Sequence, residues 1–390
     1  MTDILARACR RFTDPADPVR RRAERDLPAV SGFSREMVRE TLDIVFRSWT
    51  ARTLAPLVPR VPWRTPAGEP PLLVHILPGN VFPASLFSLL SGLAAGAVNL
   101  AKASARDPVM PALFSRAVAE ADPALGRRLA VARWERGEMD DLVFRSADAV
   151  VVHGDDASVA AVRRRVPRGI PFLGFGHRVG VAIVTKDNIR LETARRAARD
   201  ISLYDQEGCF SPHAVYVEGG FRETLAFARL LATALAAFHR RIPRGRVSPG
   251  EAVSVHAGRA GHMARGGRVF AGDGVSWTVV ASADSRFGET CRQRFIVVRP
   301  IRRLAELPRA LAGWKNQLSS AGMAVSPSRV AGTAVILAGC GIRRICPLGE
   351  MQTPSVREYL RAGMSFPIDS PVGPCHHSTF RGTHLSGGEP

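Results

Sequence analysis

Lysine and asparagine are scarce in this chain of 390 residues, although basic residues are plentiful. The lysines are limited to Lys102, Lys186 and Lys315, and the asparagines to Asn80, Asn99, Asn188 and Asn316. Arginine therefore supplies most of the formal net charge of +19. In so arginine-biased a chain, a retained lysine is more often needed for its own chemistry. A field this positive favours anionic partners such as nucleic acid, phosphorylated cofactors or an acidic protein.

The C-x-x-C motif is also absent, because none of the six cysteines has another cysteine three positions away. We therefore expect neither a zinc site nor a disulfide framework, but reduced thiols in a cytoplasmic protein. The tail contains a group without regular ligand spacing, for which we predict no metal: Cys375, His376, His377 and His384. No basic motif is interleaved with aromatic residues, so we expect no nucleic-acid partner.

An uncharged stretch between Glu69 and Lys102 is the candidate for a membrane span. Four prolines interrupt it, and Gly79, Asn80 and His75 lie in its middle. Such a stretch is more typical of a buried strand, a loop and a buried helix than of one spanning helix. The N-terminus carries acidic residues and no long apolar core, which argues against a signal peptide. We expect no membrane span.

Strand-like and helix-like segments alternate along most of the chain. A strand over 72–77, a helix over 84–95 and a strand over 97–101 predict a β-α-β unit with parallel strands. A helix is predicted over 34–49, with Ser34 as its N-cap, and another over 303–318. This alternation predicts an α/β fold.

Cys209 lies on a turn between a helix-like segment over 189–203 and a strand-like segment over 213–218. Gly208 allows a close approach of other groups, and Pro212 prevents a helix from continuing. Such a turn can keep a nucleophile both accessible and fixed. The alternative is an ordinary buried thiol, which is the commoner environment of cysteine.

Lys102 and Asn80 each follow a strand of the β-α-β unit. The carboxyl ends of parallel strands are where α/β folds bind ligands. A lysine there can meet ribose hydroxyls or a phosphate, and an amide can donate to a developing oxyanion. The alternatives are a solvated strand end for Lys102 and turn chemistry for Asn80. No G-x-G-x-x-G follows the first strand, so a nucleotide must be held differently from the usual fingerprint.

Seven segments in order make a family resemblance specific: HILPGN, NLAKASARDP, VVHGDD, FLGFGHR, YDQEGCFSPH, VYVE and RRICPLGEMQTP. Over residues 34–356 the chain resembles the LuxC-type acyl-CoA reductases, a branch of the aldehyde dehydrogenase superfamily. The resemblance implies an aldehyde dehydrogenase-like α/β fold, in which a Rossmann-type cofactor domain joins an α/β catalytic domain. The corresponding boundaries are a helical segment and linker over 1–70, a nucleotide-binding domain over 71–204, a catalytic domain over 205–330 and a C-terminal segment over 331–390.

The resemblance also implies roles for individual residues. Cys209 matches the acylated nucleophile, and Asn80 matches the asparagine of the oxyanion hole. Hydrolytic relatives have a glutamate base where this chain has FLGFGHR, which contains no carboxylate. Water should therefore attack an acyl-cysteine slowly, leaving it for a hydride. His177 and His213 are the titratable candidates for assisting Cys209, although either can be purely structural.

The resemblance also implies which residues contact the cofactor. Lys102 and Ser104 match positions that hold the adenosine ribose, and Gly154–Asp155 matches a turn that contacts the cofactor. In NAD-preferring relatives a glutamate commonly follows the lysine, where this chain has Ala105 and then Arg106. Losing a carboxylate and gaining a guanidinium suits a 2′-phosphate, so the sequence predicts NADPH.

The expected activity is the NADPH-dependent reduction of an acyl thioester to an aldehyde through an acyl-cysteine. Both acyl-CoA and an acyl carrier protein are open as substrates, because a basic enzyme attracts either anionic carrier. One alternative is a CoA-acylating aldehyde dehydrogenase working in the oxidative direction. A less favoured alternative is a basic nucleic-acid-binding protein on an inactive dehydrogenase fold. The superfamily resemblance also suggests a homo-oligomer.

Overall fold

A computed structural model describes residues 1–59 and 64–361, so the Cys/His group of the tail lies outside the described residues. The helices are α1 Thr2–Arg10, α2 Pro18–Ser31, α3 Arg35–Ser48, α4 Ala51–Leu54, α5 Ala84–Ala94, α6 Val109–Ala121, α7 Pro123–Gly126, α8 Glu138–Ser146, α9 Asp156–Arg165, α10 Leu191–Ser202, α11 Phe221–Arg241, α12 Pro249–Ala264, α13 Leu307–Ala310, α14 Val330–Gly339 and α15 Val356–Arg361. The strands are β1 Leu72–Ile76, β2 Val98–Lys102, β3 Leu129–Ala132, β4 Ala149–His153, β5 Phe172–Phe175, β6 Val179–Val184, β7 Pro212–Glu218, β8 Arg268–Ala271, β9 Thr278–Ala281, β10 Phe295–Ile301, β11 Leu318–Ala324 and β12 Arg344–Pro347.

The first sheet has five parallel strands in the order β3-β2-β1-β4-β5. Strand β1 lies at its centre and pairs with β2 on one side and β4 on the other. The predicted β-α-β unit is confirmed as β1, α5 and β2. Because all five strands are parallel, their carboxyl ends meet at one edge, which receives Asn80 and Lys102.

The second sheet has seven strands in the order β12-β11-β6-β7-β10-β9-β8. Its strands are parallel except β8, which runs antiparallel to β9. The chain changes sheet between Phe175 and Val179, earlier in the sequence than the predicted boundary at residue 204. The domain limits themselves stay a prediction. The aldehyde dehydrogenase-like α/β class, with two sheets, agrees with this arrangement.

The N-terminal helices pack against the first sheet through a large apolar core. Phe12 of the α1–α2 connection stacks on Phe46 of α3 with ring centroids 4.3 Å apart. The predicted helix over 34–49 is confirmed as α3, and the Ser34 hydroxyl caps it by accepting from the Met37 amide at 3.2 Å. This packing brings α3 alongside α5 and the edge that carries Asn80.

The predicted helix over 303–318 is wrong. That stretch forms a 3₁₀ turn, the four-residue helix α13 and then the start of β11. Gly313 has a φ of 85°, which ends helical geometry there. Strand β11 consists mostly of small and polar residues and lacks an apolar run, but it is buried between β6 and β12. Its strand character therefore comes from pairing on both sides rather than from propensity.

Helix α12 and strand β8 are absent from the sequence-based predictions. Helix α12 buries only Val255 fully, so it shows no apolar stripe. The detectable signal was its capping box, in which Ser248 and Glu251 satisfy each other's backbone amides. Among the described residues, no helix has the length and apolar content needed to cross a bilayer.

Candidate active site

One large cavity between the two sheets brings the predicted site residues together. Its volume is about 1130 Å³, and it lies at the carboxyl edge of the first sheet. The predicted residues that line it are Asn80, Lys102, Ser104, Arg106, Gly154, Asp155, His177, Cys209 and His213. Residues from positions far apart in the chain thus share one space, while their individual roles stay predictions.

The nucleophile turn, residues 207–211, connects a 3₁₀ turn to strand β7. A Cβ on Gly208 would lie 2.9 Å from the Gln352 side-chain oxygen, so the predicted close approach at this glycine is confirmed. The Ser319 hydroxyl, on the unpredicted strand β11, donates to the Cys209 carbonyl at 2.9 Å. The backbone that follows the thiol is therefore tied to the second sheet.

The Cys209 thiol is held in its neutral form. Cys209 is partly exposed as a residue, but burial of the thiol raises its pKa to about 11. The Cys209 backbone amide and the charges of Arg178 and Arg344 oppose this rise without cancelling it. Since the nucleophilic form is the thiolate, attack at neutral pH needs a group that accepts the thiol proton.

Asn80 is attached directly to the nucleophile turn. Its side-chain Nδ2 donates one N–H to the Glu207 carbonyl at 2.8 Å. The second N–H of the same amide takes no part in that hydrogen bond. Gly79 is required beside it, because a Cβ there would overlap the Ser104 side chain and lie 2.9 Å from the Cβ of Arg106. The turns after β1 and β2 therefore touch, and Asn80 points across to the second sheet.

Lys102 is paired with a carboxylate that the sequence reasoning missed. Its Nζ donates to Asp140 of α8 at 2.9 Å and lies 5.1 Å from the centre of the Trp134 ring. Burial alone would raise the pKa of Asp140, but hydrogen bonds from Lys102 and Trp134 Nε1 lower it below its usual range. The carboxylate absent at position 105 is thus supplied from another element, and only the acidic start of α8 hinted at it.

The same side of the cavity is rich in arginine. Arg165 donates to Asp140 at 3.1 Å and so extends the Lys102 cluster. Arg133, Arg136 and Arg164 also line the cavity, and none of them forms a hydrogen bond or ion pair within the described part of the chain. These three guanidinium groups are available to an anionic ligand.

The other predicted cofactor residues have additional structural partners. Asp155 caps helix α9 by accepting from the Ser158 amide at 2.6 Å, and this hydrogen bond lowers the pKa of Asp155. The Ser104 hydroxyl accepts from the Arg106 amide at 3.2 Å. Burial raises the pKa of Glu207, and the guanidinium groups of Arg292 and then Arg106 oppose that rise. Arg106 therefore acts on the nucleophile side of the cavity.

Both predicted histidines are held by consecutive residues that the sequence reasoning missed. His177 Nε2 lies 2.8 Å from a carboxylate oxygen of Glu289, and this hydrogen bond lowers the pKa of Glu289. His213 Nδ1 accepts from the Thr290 amide at 3.2 Å. Burial lowers the pKa of His213 to about 4, so this ring stays neutral. Of the two, His177 is the one that contacts a carboxylate.

A row of aromatic rings forms the opposite wall of the cavity. Phe210, next to the nucleophile, meets Tyr359 edge-on at 5.8 Å between ring centroids. Tyr359 stacks on Phe87 at 3.9 Å, and Phe87 meets Trp49 at 6.3 Å. We call these four residues the aromatic row. The sequence carried no usable signal for it, since the rings come from four separate segments.

Metal ligation has no structural support in the part of the chain that the structure covers. Within residues 1–59 and 64–361, no group of three or more His, Cys, Asp or Glu side chains could hold a metal ion. Cys340 and Cys346 are both buried and belong to the apolar cores.

Comparison with known proteins gives a family and a fold. The model of the acyl-CoA reductase (LuxC) family matches residues 63–358. The long-chain acyl-protein thioester reductase of Aliivibrio fischeri is 26% identical over 239 residues, covering 60% of this chain and 50% of that protein. The protein of the same name from Photorhabdus luminescens is 27% identical over 160 residues, covering 40% of this chain and 33% of that protein. This chain thus matches half or less of the length of these relatives.

Solved structures that resemble the chain include aldehyde dehydrogenases. A NAD-dependent benzaldehyde dehydrogenase from Corynebacterium glutamicum gives a TM-score of 0.68 at 16% identity, covering 93% of this chain and 83% of that chain. Aldehyde dehydrogenase 21 from Physcomitrella patens gives a TM-score of 0.67 at 13% identity, covering 91% of this chain and 78% of that chain. At these identities the likeness establishes the fold alone.

Proposed function

Since the chain belongs to the acyl-CoA reductase (LuxC) family, we propose that it reduces an acyl thioester to an aldehyde. Cys209 carries the acyl group, Asn80 stabilises the oxyanion, and NADPH is the reductant. The relatives are named long-chain acyl-protein thioester reductases, which supports a long acyl chain delivered on a protein.

The observation that carries this proposal is the arrangement of the cavity around Cys209. A basic side is formed by Lys102 and the arginines, and the aromatic row lies next to the nucleophile on the opposite wall. A charged cofactor suits the basic side and an acyl chain suits the aromatic row, so the two meet at the Cys209 thiol.

The acylation step is assigned to three residues. The Cys209 sulfur attacks the thioester carbonyl, the carbon–sulfur bond to the carrier breaks, and the carrier leaves as a thiol. His177 accepts the Cys209 proton and passes it to the departing sulfur, so no proton is lost. The free N–H of Asn80 and the Cys209 amide donate to the tetrahedral oxyanion.

The residues of the basic side fit an anionic dinucleotide. Arg133, Arg136 and Arg164 have no ion-pair partner in the described chain, and the buried Nε2 of His153, which also lines the cavity, has no hydrogen-bond partner there. Lys102 would meet a ribose, and a guanidinium would meet a 2′-phosphate. When bound, NADPH supplies the hydride that reduces the acyl carbon.

Release of the aldehyde uses the same oxyanion donors. The alkoxide of the hemithioacetal on Cys209 accepts from Asn80, and its collapse breaks the bond to sulfur. The Cys209 thiolate then takes one proton from water, which completes the turnover. No carboxylate lies in residues 172–178, and Glu289 is engaged by His177, so hydrolysis of the acyl-cysteine has no free carboxylate base among these residues.

Covalent trapping tests this function. The protein is incubated with acyl-CoA or an acylated carrier protein without NADPH, and peptides are analysed by mass spectrometry. We expect the acyl group on Cys209, its absence in Cys209→Ala, and unchanged labelling in Cys291→Ala, the matched control. Addition of NADPH should discharge the adduct as aldehyde. A Cys209→Ala protein that still forms aldehyde at the wild-type rate would refute the assignment.

Salt dependence separates the two carriers. The net charge of +19 should accelerate encounter with an acidic carrier protein, and salt screens that attraction. We expect kcat/KM to fall steeply with salt for an acylated carrier protein and less for acyl-CoA. Equal salt slopes would remove the support for a protein carrier.

A further inference from the structure

The segment Glu289–Phe295 contacts both histidines of the candidate active site and the residues that precede Cys209. Glu289 and Thr290 hold the two histidines. Arg292, Gln293, Arg294 and Phe295 hold three consecutive residues that precede Cys209. Cys291 is the one residue of the segment without such a contact in the described structure. We call Glu289–Phe295 the 289–295 segment.

The contacts to the nucleophile side are buried and specific. Arg294 is fully buried and donates from Nε to Asp205 at 2.7 Å and from Nη1 to the Ile242 carbonyl at 3.1 Å. The Gln206 side chain accepts from the Phe295 amide at 2.9 Å and donates to the Phe295 carbonyl at 3.0 Å. These bonds hold the residues three and four positions ahead of the thiol.

Glu207 extends the same support to the oxyanion site. Its carboxylate accepts from Arg292 Nη1 at 3.1 Å and from Gln293 Nε2 at 3.2 Å. Its carbonyl accepts from Asn80 at 2.8 Å. A shift of the 289–295 segment would therefore move Glu207, and with it the anchor of Asn80.

Backbone strain is concentrated at these two facing turns. Tyr204, Asp205 and Gln206 have φ values of 56°, 49° and 70°. Residues 292–294 have φ values of 60°, 64° and 55°. Within the described residues, non-glycine left-handed φ values occur only in these two runs. Such conformations persist only where surrounding contacts enforce them, and they concentrate at functional sites.

We propose that the 289–295 segment is the positioning element of the active site, holding the nucleophile turn, the Asn80 anchor and His177 in register. The inference rests on the proposed function, because it assigns the segment a role in that reaction. Arg294 and Glu289 are its positioning residues. Neither needs to touch the substrate, since each acts through a residue that does.

Arg294→Lys tests the nucleophile side, with Arg20→Lys as its matched control. Arg20 is also a buried arginine that binds carboxylates and a backbone carbonyl, but it lies in the N-terminal helices away from the cavity. Lysine cannot maintain both contacts of either guanidinium. Both variants should lose thermal stability to a similar extent, so stability alone cannot explain a difference between them.

Two rates at Cys209 should move in opposite directions in Arg294→Lys. Acylation by acyl-CoA and kcat should fall by about tenfold or more, because the thiol and oxyanion donors lose their alignment. Alkylation of Cys209 by iodoacetamide, followed on its peptide and separately from Cys291, should rise as the loosened turn admits water. In Arg20→Lys both rates should stay near wild type. Acylation and alkylation both within about twofold of wild type, or both falling together, would overturn the proposal.

Glu289→Gln provides the second variant, in case Arg294→Lys does not fold. The acylation rate should fall while KM for the thioester changes little, because glutamine no longer offers His177 a charged oxygen that orients its ring. Glu218→Gln, which removes a carboxylate paired with Arg329 outside the cavity, should leave both quantities unchanged. An acylation rate for Glu289→Gln within about twofold of wild type would overturn the role of Glu289.

The readouts keep the two proposals apart. If wild-type protein forms no acyl adduct with any thioester, the proposed function fails. The iodoacetamide comparison between Arg294→Lys and Arg20→Lys still tests whether the 289–295 segment controls the Cys209 environment.

Discussion

The side-chain amide of Asn80 and the backbone carbonyl of Glu207 form a 2.8 Å hydrogen bond across 127 positions of the chain. It joins the carboxyl edge of the first sheet to the turn that carries Cys209 in front of the second. Asn80 and the turn that carries Cys209 are thereby fixed to each other directly, rather than only through the packing of two sheets.

Asn80→Ala should reduce kcat by about 10²–10³, because it removes one donor to the oxyanion and the link to Glu207. KM for the thioester should change little, since the donor acts mainly in the transition state. Steady-state kinetics of aldehyde formation measure both. Asn188→Ala is the control, because that amide binds Thr185 in a 3₁₀ turn outside the cavity. A fall in kcat of less than about threefold for Asn80→Ala would contradict the assignment.

Alkylation of Cys209 should depend on pH in a definite direction. With a thiol pKa of about 11, the reactive thiolate should increase from pH 7 to pH 10 without a plateau. Because the folded-state pKa lies above the ordinary value of 9.0, this group's contribution to stability is complete below pH 9 and is lost as the pH rises toward 11. Arg178→Gln should slow alkylation at any fixed pH, because it removes a charge that favours the thiolate. A plateau below pH 9, or faster alkylation in Arg178→Gln than in an Arg190→Gln control, would contradict this account.

Lys102→Met should raise KM for the reduced cofactor while leaving acyl-adduct formation without cofactor unchanged. The reason is that Lys102 and its partner Asp140 lie on the basic side, away from the thioester bond.

Replacing Arg136 and Arg164 together with alanine should lower the preference for NADPH over NADH by about tenfold or more, because the charges available to a 2′-phosphate are removed. Kinetics with both cofactors measure this, with Lys315→Met as the control. An unchanged cofactor preference would transfer the 2′-phosphate role to other residues.

Trp49→Ala should shift the preferred substrate toward longer or bulkier acyl chains, because Trp49 is the last ring of the aromatic row. Trp314→Ala is its control, since Trp314 packs edge-on against Phe287 at 5.0 Å outside the cavity. Trp49→Ala should cost stability on the order of 3 kcal/mol, as large-to-small core substitutions do, and Trp314→Ala less, because Trp314 is only partly buried. Chain-length profiles of kcat/KM from a series of acyl-CoA substrates distinguish them. Identical profiles for the two variants would remove Trp49 from the acyl site.

Local sequence patterns predicted much of the first sheet and the turn that carries Cys209. Alternating apolar segments located β1, α5 and β2, because a parallel sheet buries both faces and its strands are apolar throughout. Asn80 and Lys102 were identifiable for a related reason: polar residues directly after buried strands must lie at the ligand-binding edge. Cys209 was identifiable from Gly208 and Pro212, which mark its turn.

The partners of those residues were not predictable, because they come from distant segments with no pattern of their own. Asp140 reaches Lys102 across 38 positions, and Glu289 reaches His177 across 112. Strand β11, which holds the Cys209 carbonyl through Ser319, lacks the apolar run that would have revealed it. Left-handed residues such as Arg292 and Gln293 give no sequence signal, since neither is a residue type that favours that conformation.

The position of the aromatic row bears on how the sequence of such a protein can diverge. Trp49 follows the third helix of the chain, and Tyr359 lies on the last described helix, so neither belongs to the sheets that carry Cys209 and Asn80. Under the proposed function, substitutions at these two ends reshape a wall that faces the acyl chain without altering either sheet. Divergence in substrate range is therefore open to relatives that conserve the same chemistry, and it should be sought first in the terminal segments.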